Sequence, residues 1–90
     1  MAVTISSLIS TCPAPISDAT GVSNAIGWLA LANDFALAQD NKNLYNRHSI
    51  INYSLIYMNN INIGDTNYAD INDKLMHIKY FLTAQQTMDS

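Results

Sequence analysis

Ninety residues with a net charge of −3 allow one small domain built on one modest core. The four cations, Lys42, Arg47, Lys74 and Lys79, are too few and too scattered for the basic face that nucleic acid or an anionic membrane surface requires. No stretch approaches the roughly 20 apolar residues that span a bilayer.

Charged side chains make up 12% of the chain, against about 25% in an ordinary soluble domain. Glutamate is absent, and asparagine fills part of the gap, with eleven in all and ten of them from Asn33 to Asn72. Cys12 is the only cysteine, so no disulfide staples the fold, and its neighbours in STCPAP bring no cation to activate the thiol. A single unpaired thiol fits a reducing compartment. The expected location is therefore the cytoplasm, or a virion assembled there.

In chain order, residues 1–20 read as an extended N-terminal arm, and 21–90 as a single helical domain. The opening MAVTISSLISTCPAP has no Lys or Arg in front, and Ser6, Ser7 and Ser10 break its apolar stretch. It lacks the features of a secretory signal, and the chain is expected to be soluble and unprocessed. VTISSLIS is too short for periodicity to separate helix from strand, and Pro13 and Pro15 end it.

The first long helix is expected over residues 22–39, where Ala and Leu dominate. Ser17, Asp18, Thr20 and Ser23 all offer N-caps. DNKN at 40–43 breaks it, and a second helix covers 44–61. Its Ile and Tyr content makes a strand the alternative for 49–57, but Leu44, His48, Ile51, Leu55 and Met58 alternate four- and three-residue steps and define one helical face. The third helix covers about 67–86, with Tyr68, Ile71, Leu75, Ile78 and Leu82 on one stripe. The fold class is therefore all-α: a small three-helix bundle, or a helical hairpin plus one helix, with an extended N-terminal arm.

GDTNYADINDKLMHIKYFL, from Gly64 to Leu82, is the nearest approach to a chemical motif. An EF-hand loop counted from Asp65 puts Asn67 at position 3, but Ala69 at 5, Asp70 in place of the glycine and Met76 in place of the bidentate acid. The order of DTN and IND before IKYFL resembles the loop–helix repeat of dockerin modules, but the loop is too short and no second repeat follows. A helix start accounts for the same residues: Asp65, Thr66 or Asn67 caps, and Asp70 and Asp73 lie near the positive end of the helix dipole. Asp70 with Lys74, and Asp73 with His77, stand at helpful i,i+4 spacing.

No other constellation points to chemistry. His48 and His77 are far apart with no cysteine cluster to join them around zinc. His48 is expected at the edge of the core and His77 in solvent facing Asp73. Gly21, Gly27 and Gly64 fit no phosphate-binding loop. No enzyme activity, cofactor or resident metal is expected.

The helical wheels carry the functional expectation. The first helix has an apolar face of Val22, Ala25, Ile26, Leu29, Ala32 and Ala36, and a second of Trp28, Leu31, Phe35 and Ala38. Behind the Leu44–Met58 stripe of the second helix lie Ile50, Tyr53, Tyr57 and Ile61, and the third adds Ala69, Met76 and Tyr80. A helix apolar on two sides is normally covered on two sides. Residues 1–20 folding back over one face would absorb about one stripe, with the rest ordinary surface apolarity, but the Tyr, Trp and Met content favours a protein interface for the remainder. The expected interface is Trp28, Leu31, Phe35, Ile50, Tyr53, Tyr57, Ile61, Met76 and Tyr80. On that division Tyr57→Asp would dissociate an oligomer, whereas Leu75→Asp would unfold the chain. The expected role is a non-enzymatic subunit that self-associates or packs into a larger protein particle, such as a virion or head–tail connector. The alternative is a small helical inhibitor of a protein partner, with a calcium-binding module a distant third.

Overall fold

The computed structural model describes residues 3–39, 44–61 and 67–89. Four helices follow one another: α1 (Ile5–Thr11), α2 (Ala19–Leu37), α3 (Leu44–Asn60) and α4 (Tyr68–Asp89). At about 1.5 Å per residue α4 is roughly 33 Å long, which accounts for most of the 38 Å long axis. The chain is an all-α bundle, and 49–57 is helix.

Local chemistry sets the helix starts. The Asp18 carboxylate accepts from the Gly21 N–H at 2.7 Å and opens α2. Asn67 opens α4, its side-chain oxygen accepting from the N–H groups of Ala69 at 3.0 Å and Asp70 at 3.3 Å. The other two caps considered for α4, Asp65 and Thr66, lie outside the described residues. Asp70 sits in the first turn and pairs with Lys74 at 3.0 Å, as the i,i+4 spacing predicts.

Two stripes lie where the wheels put them. Val22, Ala25, Leu29, Ala32 and Ala36 of α2 are buried, as are Ile71, Leu75, Ile78 and Leu82 of α4. Helix α3 differs. The stripe expected inside leaves Leu55 43% exposed and His48 in solvent, with Ile51 and Met58 half-buried; the Leu44 side chain lies outside the described residues. The buried line is instead Asn46, Ile50, Ser54 and Tyr57. Two polar residues interrupt it, so a count of apolar positions favours the wrong side. What sets the rotation of α3 is pairing with its neighbours. The Arg47 Nε–H donates to the Ala36 carbonyl near the end of α2 at 2.9 Å, where the helix dipole favours a cation. Tyr53 meets Phe81 of α4 with ring centroids 5.1 Å apart.

The first residues do not extend as an arm. Thr4 and Ser7 form a capping box, Oγ1 of Thr4 accepting from the Ser7 N–H at 3.1 Å and Oγ of Ser7 from the Thr4 N–H at 3.2 Å. The resulting α1 packs on α2 and α4 but not on α3. Gln86 reaches Ser6, while Asn72 reaches Ile16, so residues 4–16 run antiparallel to α4 and roof the cleft between α2 and α4. Leu8 and Ile16 enter the core at 1% and 4% exposure, contributing roughly 1.5–3 kcal/mol each.

Polar groups under this roof are matched. The Trp28 indole N–H donates to the Leu8 carbonyl at 3.0 Å, in the last turn of α1 where carbonyls run short of intrahelical donors. Between α1 and α2 the chain around Pro13 and Pro15 is not helical, and Asn72 pairs with both backbone groups of Ile16. Its Oδ1 accepts from the Ile16 N–H at 2.7 Å and its Nδ2 donates to the Ile16 carbonyl at 3.3 Å. Helix α1 touches α2 and α4, which also touch each other, while α3 packs on α2 and α4 only.

Three substitutions test this packing by urea denaturation. At Gly27 an added Cβ meets nothing within 4 Å, so Gly27→Ala should gain about 0.5–1 kcal/mol from helix propensity. At Gly21 the same Cβ would lie 2.9 Å from Ile16 Cγ2, and Ile16 is held by Asn72, so Gly21→Ala should lose stability. Ser54 Oγ is buried without a hydrogen-bond partner among the described residues, so Ser54→Ala should gain about 1 kcal/mol.

Candidate functional site

Helices α3 and α4 run antiparallel and place two i,i+4 pairs side by side: Tyr53 with Tyr57, and His77 with Phe81. Tyr53 lies between them, its ring centroid 5.1 Å from Phe81, 5.5 Å from Tyr57 and 6.3 Å from His77. Tyr80 extends the array, 5.8 Å from Phe81 with the rings nearly perpendicular. Spacings of this kind let aromatic rings meet edge to face. The outer members are open to solvent, Tyr53 at 38% and Tyr80 at 70%.

Beneath this face, Tyr57 is buried as a ring with its hydroxyl at the rim. Tyr57 Oη and His77 Nδ1 lie 3.0 Å apart, the donor depending on the His77 tautomer. His77 thus turns to Tyr57, rather than to Asp73 as the spacing predicts. Lys74 Nζ sits 5.4 Å from the Tyr57 ring centroid while paired with Asp70, a cation–π geometry. Burial pushes the Tyr57 hydroxyl above its ordinary pKa of 10.0, with Tyr53 and Asp70 adding to the shift.

The surface where α2 meets the N-terminal segment is concave. A groove of about 490 Å³ runs along α2 past Thr11, Pro13, Ser23, Gly27, Trp28 and Leu31. A second, of about 340 Å³, continues past Leu31 to Val3, Asp34, Phe35 and Ala38. Asp34 is the one charged residue in either lining.

The residues expected at an interface divide into two sets. Trp28, Ile50 and Tyr57 are inside, at 4%, 1% and 7% exposure. Their second apolar faces meet α1 or α4 of the same chain, so Tyr57→Asp should unfold the protein as Leu75→Asp would. Ile61 and Phe35 are half-buried against the core. Leu31, Tyr53, Met76 and Tyr80 stand exposed, with Tyr53 and Tyr80 on the aromatic face and Leu31 in the grooves. Sequence reasoning missed Phe81 and His77 as members of that face. Their signal is the i,i+4 pair opposite Tyr53 and Tyr57.

The total accessible surface is 5333 Å². Compact monomers of 9.9 kDa expose about 5,200 Å² by the usual scaling, so the chain closes its own core. Among the described residues no three His, Cys, Asp or Glu side chains group to hold a metal, and no helix is long and apolar enough to cross a membrane. No protein-family model, curated protein or solved structure matches this chain.

The raised Tyr57 pKa links stability to alkaline pH. The unfolded chain releases this proton near 10.0 while the folded chain keeps it, so above that value the unfolded state binds fewer protons and stability falls as pH rises. The contribution is complete below the unfolded pKa. Denaturation at about pH 9 and about pH 11 should show a larger alkaline loss for the wild type than for Tyr57→Phe, which has no such proton to release.

Proposed function

We propose that this chain is a non-enzymatic subunit that works through protein–protein contact, self-associating or packing into a larger assembly. The observation that carries this reading is the ordered aromatic face of Tyr53, Phe81 and Tyr80, held by α3 and α4 yet open to solvent. Aromatic side chains give large contact area, and Tyr is among the residues that dominate binding energy. Only one ion pair occurs among the described residues, Lys74 with Asp70, so little charge must be desolvated when this face is covered. The free thiol of Cys12 fits action in a reducing cytoplasm.

A second reading is a small helical binding or inhibitor protein with one protein target. The monomer-like surface area favours it, because a closed core lets the chain persist alone until its partner arrives.

Light scattering behind a sizing column, over a concentration series, separates the two. A subunit should give a defined oligomer, and Tyr80→Asp should weaken its association by about tenfold or more with helical circular dichroism unchanged. A wild-type chain that stays monomeric at every concentration would overturn self-association and leave the single-partner reading.

A further inference from the structure

Building on the reading of the chain as a self-associating subunit, we propose that α1 is an exchangeable latch. The cleft between α2 and α4 that holds α1 of its own chain also accepts α1 of a second copy. This exchange gives the subunit a second contact besides the aromatic face.

The occupant of the cleft is visible in the structure, and its hold is local. Helix α1 has seven residues, far below the length at which a helix persists in water without a surface to pack on. It contacts only α2 and α4. One of its side chains, Leu8, is fully buried, while Ile5 and Ile9 pack against the core half-exposed. Its hydrogen bonds to the rest of the bundle include Trp28 Nε1–H to the Leu8 carbonyl and Gln86 Nε2–H to Ser6 Oγ. Neither depends on which chain supplies α1.

The pivot is equally defined. Asn72 clamps Ile16 through both backbone groups, and Ile16 packs on the bare face of Gly21. The chain after Pro15 therefore stays in place when α1 leaves. Between α1 and that clamp lie Cys12, Pro13, Ala14 and Pro15, and prolines favour extended backbone both at themselves and at the residue before. A short non-helical link between a small element and an anchored one is the arrangement from which identical elements trade places between copies. With α1 displaced, the Trp28 groove joins the cleft, so the vacated surface is apolar and suited to the same helix from a neighbour.

The test uses the full chain with Cys12→Ser, Ser6→Cys and Gln86→Cys and a short bis-maleimide crosslinker, which makes up for the shorter side chain at 86, since Gln86 Nε2 and Ser6 Oγ are 2.8 Å apart in the wild type. Ordinary and nitrogen-15-labelled chains are mixed at high concentration, incubated, crosslinked and mapped by mass spectrometry. Exchange predicts crosslinks between position 6 of one isotopic form and position 86 of the other, rising with concentration. Links from 6 to 86 within one chain only, at every concentration, would overturn the latch. So would intermolecular links spread evenly over 6–6, 6–86 and 86–86. An oligomer in light scattering with only intrachain links would leave the subunit reading standing and remove the exchange alone. Hydrogen exchange on the wild-type chain decides the matter if the variant does not fold. Amides of α1 should exchange at least about tenfold faster than those of central α2, and exchange of α1 only together with α2 and α4 would overturn the proposal.

Discussion

The cleft between α2 and α4 has to be covered, and the structure follows from how that is done. Trp28 projects from α2 toward this cleft rather than toward α3, and its indole is buried only because residues 4–16 lie across it. The chain covers it with about two turns of α1 followed by non-helical backbone through Ile16. Such backbone beside a helix normally leaves its N–H and C=O groups without partners. Asn72 resolves this by acting as a short mimic of a neighbouring strand, accepting from and donating to Ile16. Gly21 supplies the remaining condition, because any side chain there would push Ile16 off the helix.

That cover changes how the apolar surface should be understood. Six apolar stripes on three helices appear to demand outside partners, yet the surface area is that of a closed monomer. Trp28 is absorbed by α1, and Ile50 and Tyr57 by a rotation of α3 toward the core. What remains outside is smaller and more specific: an aromatic ridge on the α3–α4 side and shallow apolar grooves on the α1–α2 side.

Legibility in the sequence tracked how far apolar spacing and packing agree. In α2 and α4 the buried positions are almost all apolar, so Val22 to Ala36 and Ile71 to Leu82 mark the inward face directly. In α3 the inward line contains Asn46 and Ser54, and the stripe from His48 to Met58 looked stronger although it lies at the edge of the core, with Ile51 and Met58 half-buried and His48 and Leu55 exposed. Only the register of Tyr53 and Tyr57 against His77 and Phe81, a property of two helices together, selects the true face. Helix α1 was hidden for another reason. Its cap is Thr4 with Ser7 in place of the usual Glu or Gln, and its stability comes from a cleft formed by residues distant in sequence. Of the candidate surface, exposed Tyr53 and Tyr80 were legible from their places on the wheel. Phe81 was not, since it lies beside a stripe that ends in the core.

Low charge gives the remaining surface its character. Charged residues are 12% of the chain, and the one described ion pair, Lys74 with Asp70, supports α4 internally rather than reaching outward. Long-range electrostatic steering is therefore weak, and little repulsion keeps copies apart. Contact must depend on short-range terms: ring against ring at the aromatic ridge, and apolar side chains in the grooves. Such terms reward a fixed geometry over mere proximity, because aromatic pairs lose their added attraction when spacing and tilt drift. The buried Tyr57 supplies that rigidity. Held by His77, Lys74 and the core together, it fixes Tyr53 from below, and Tyr53 in turn positions Phe81. The core residue that the wheel placed at an interface thus holds the geometry of the exposed rings from underneath.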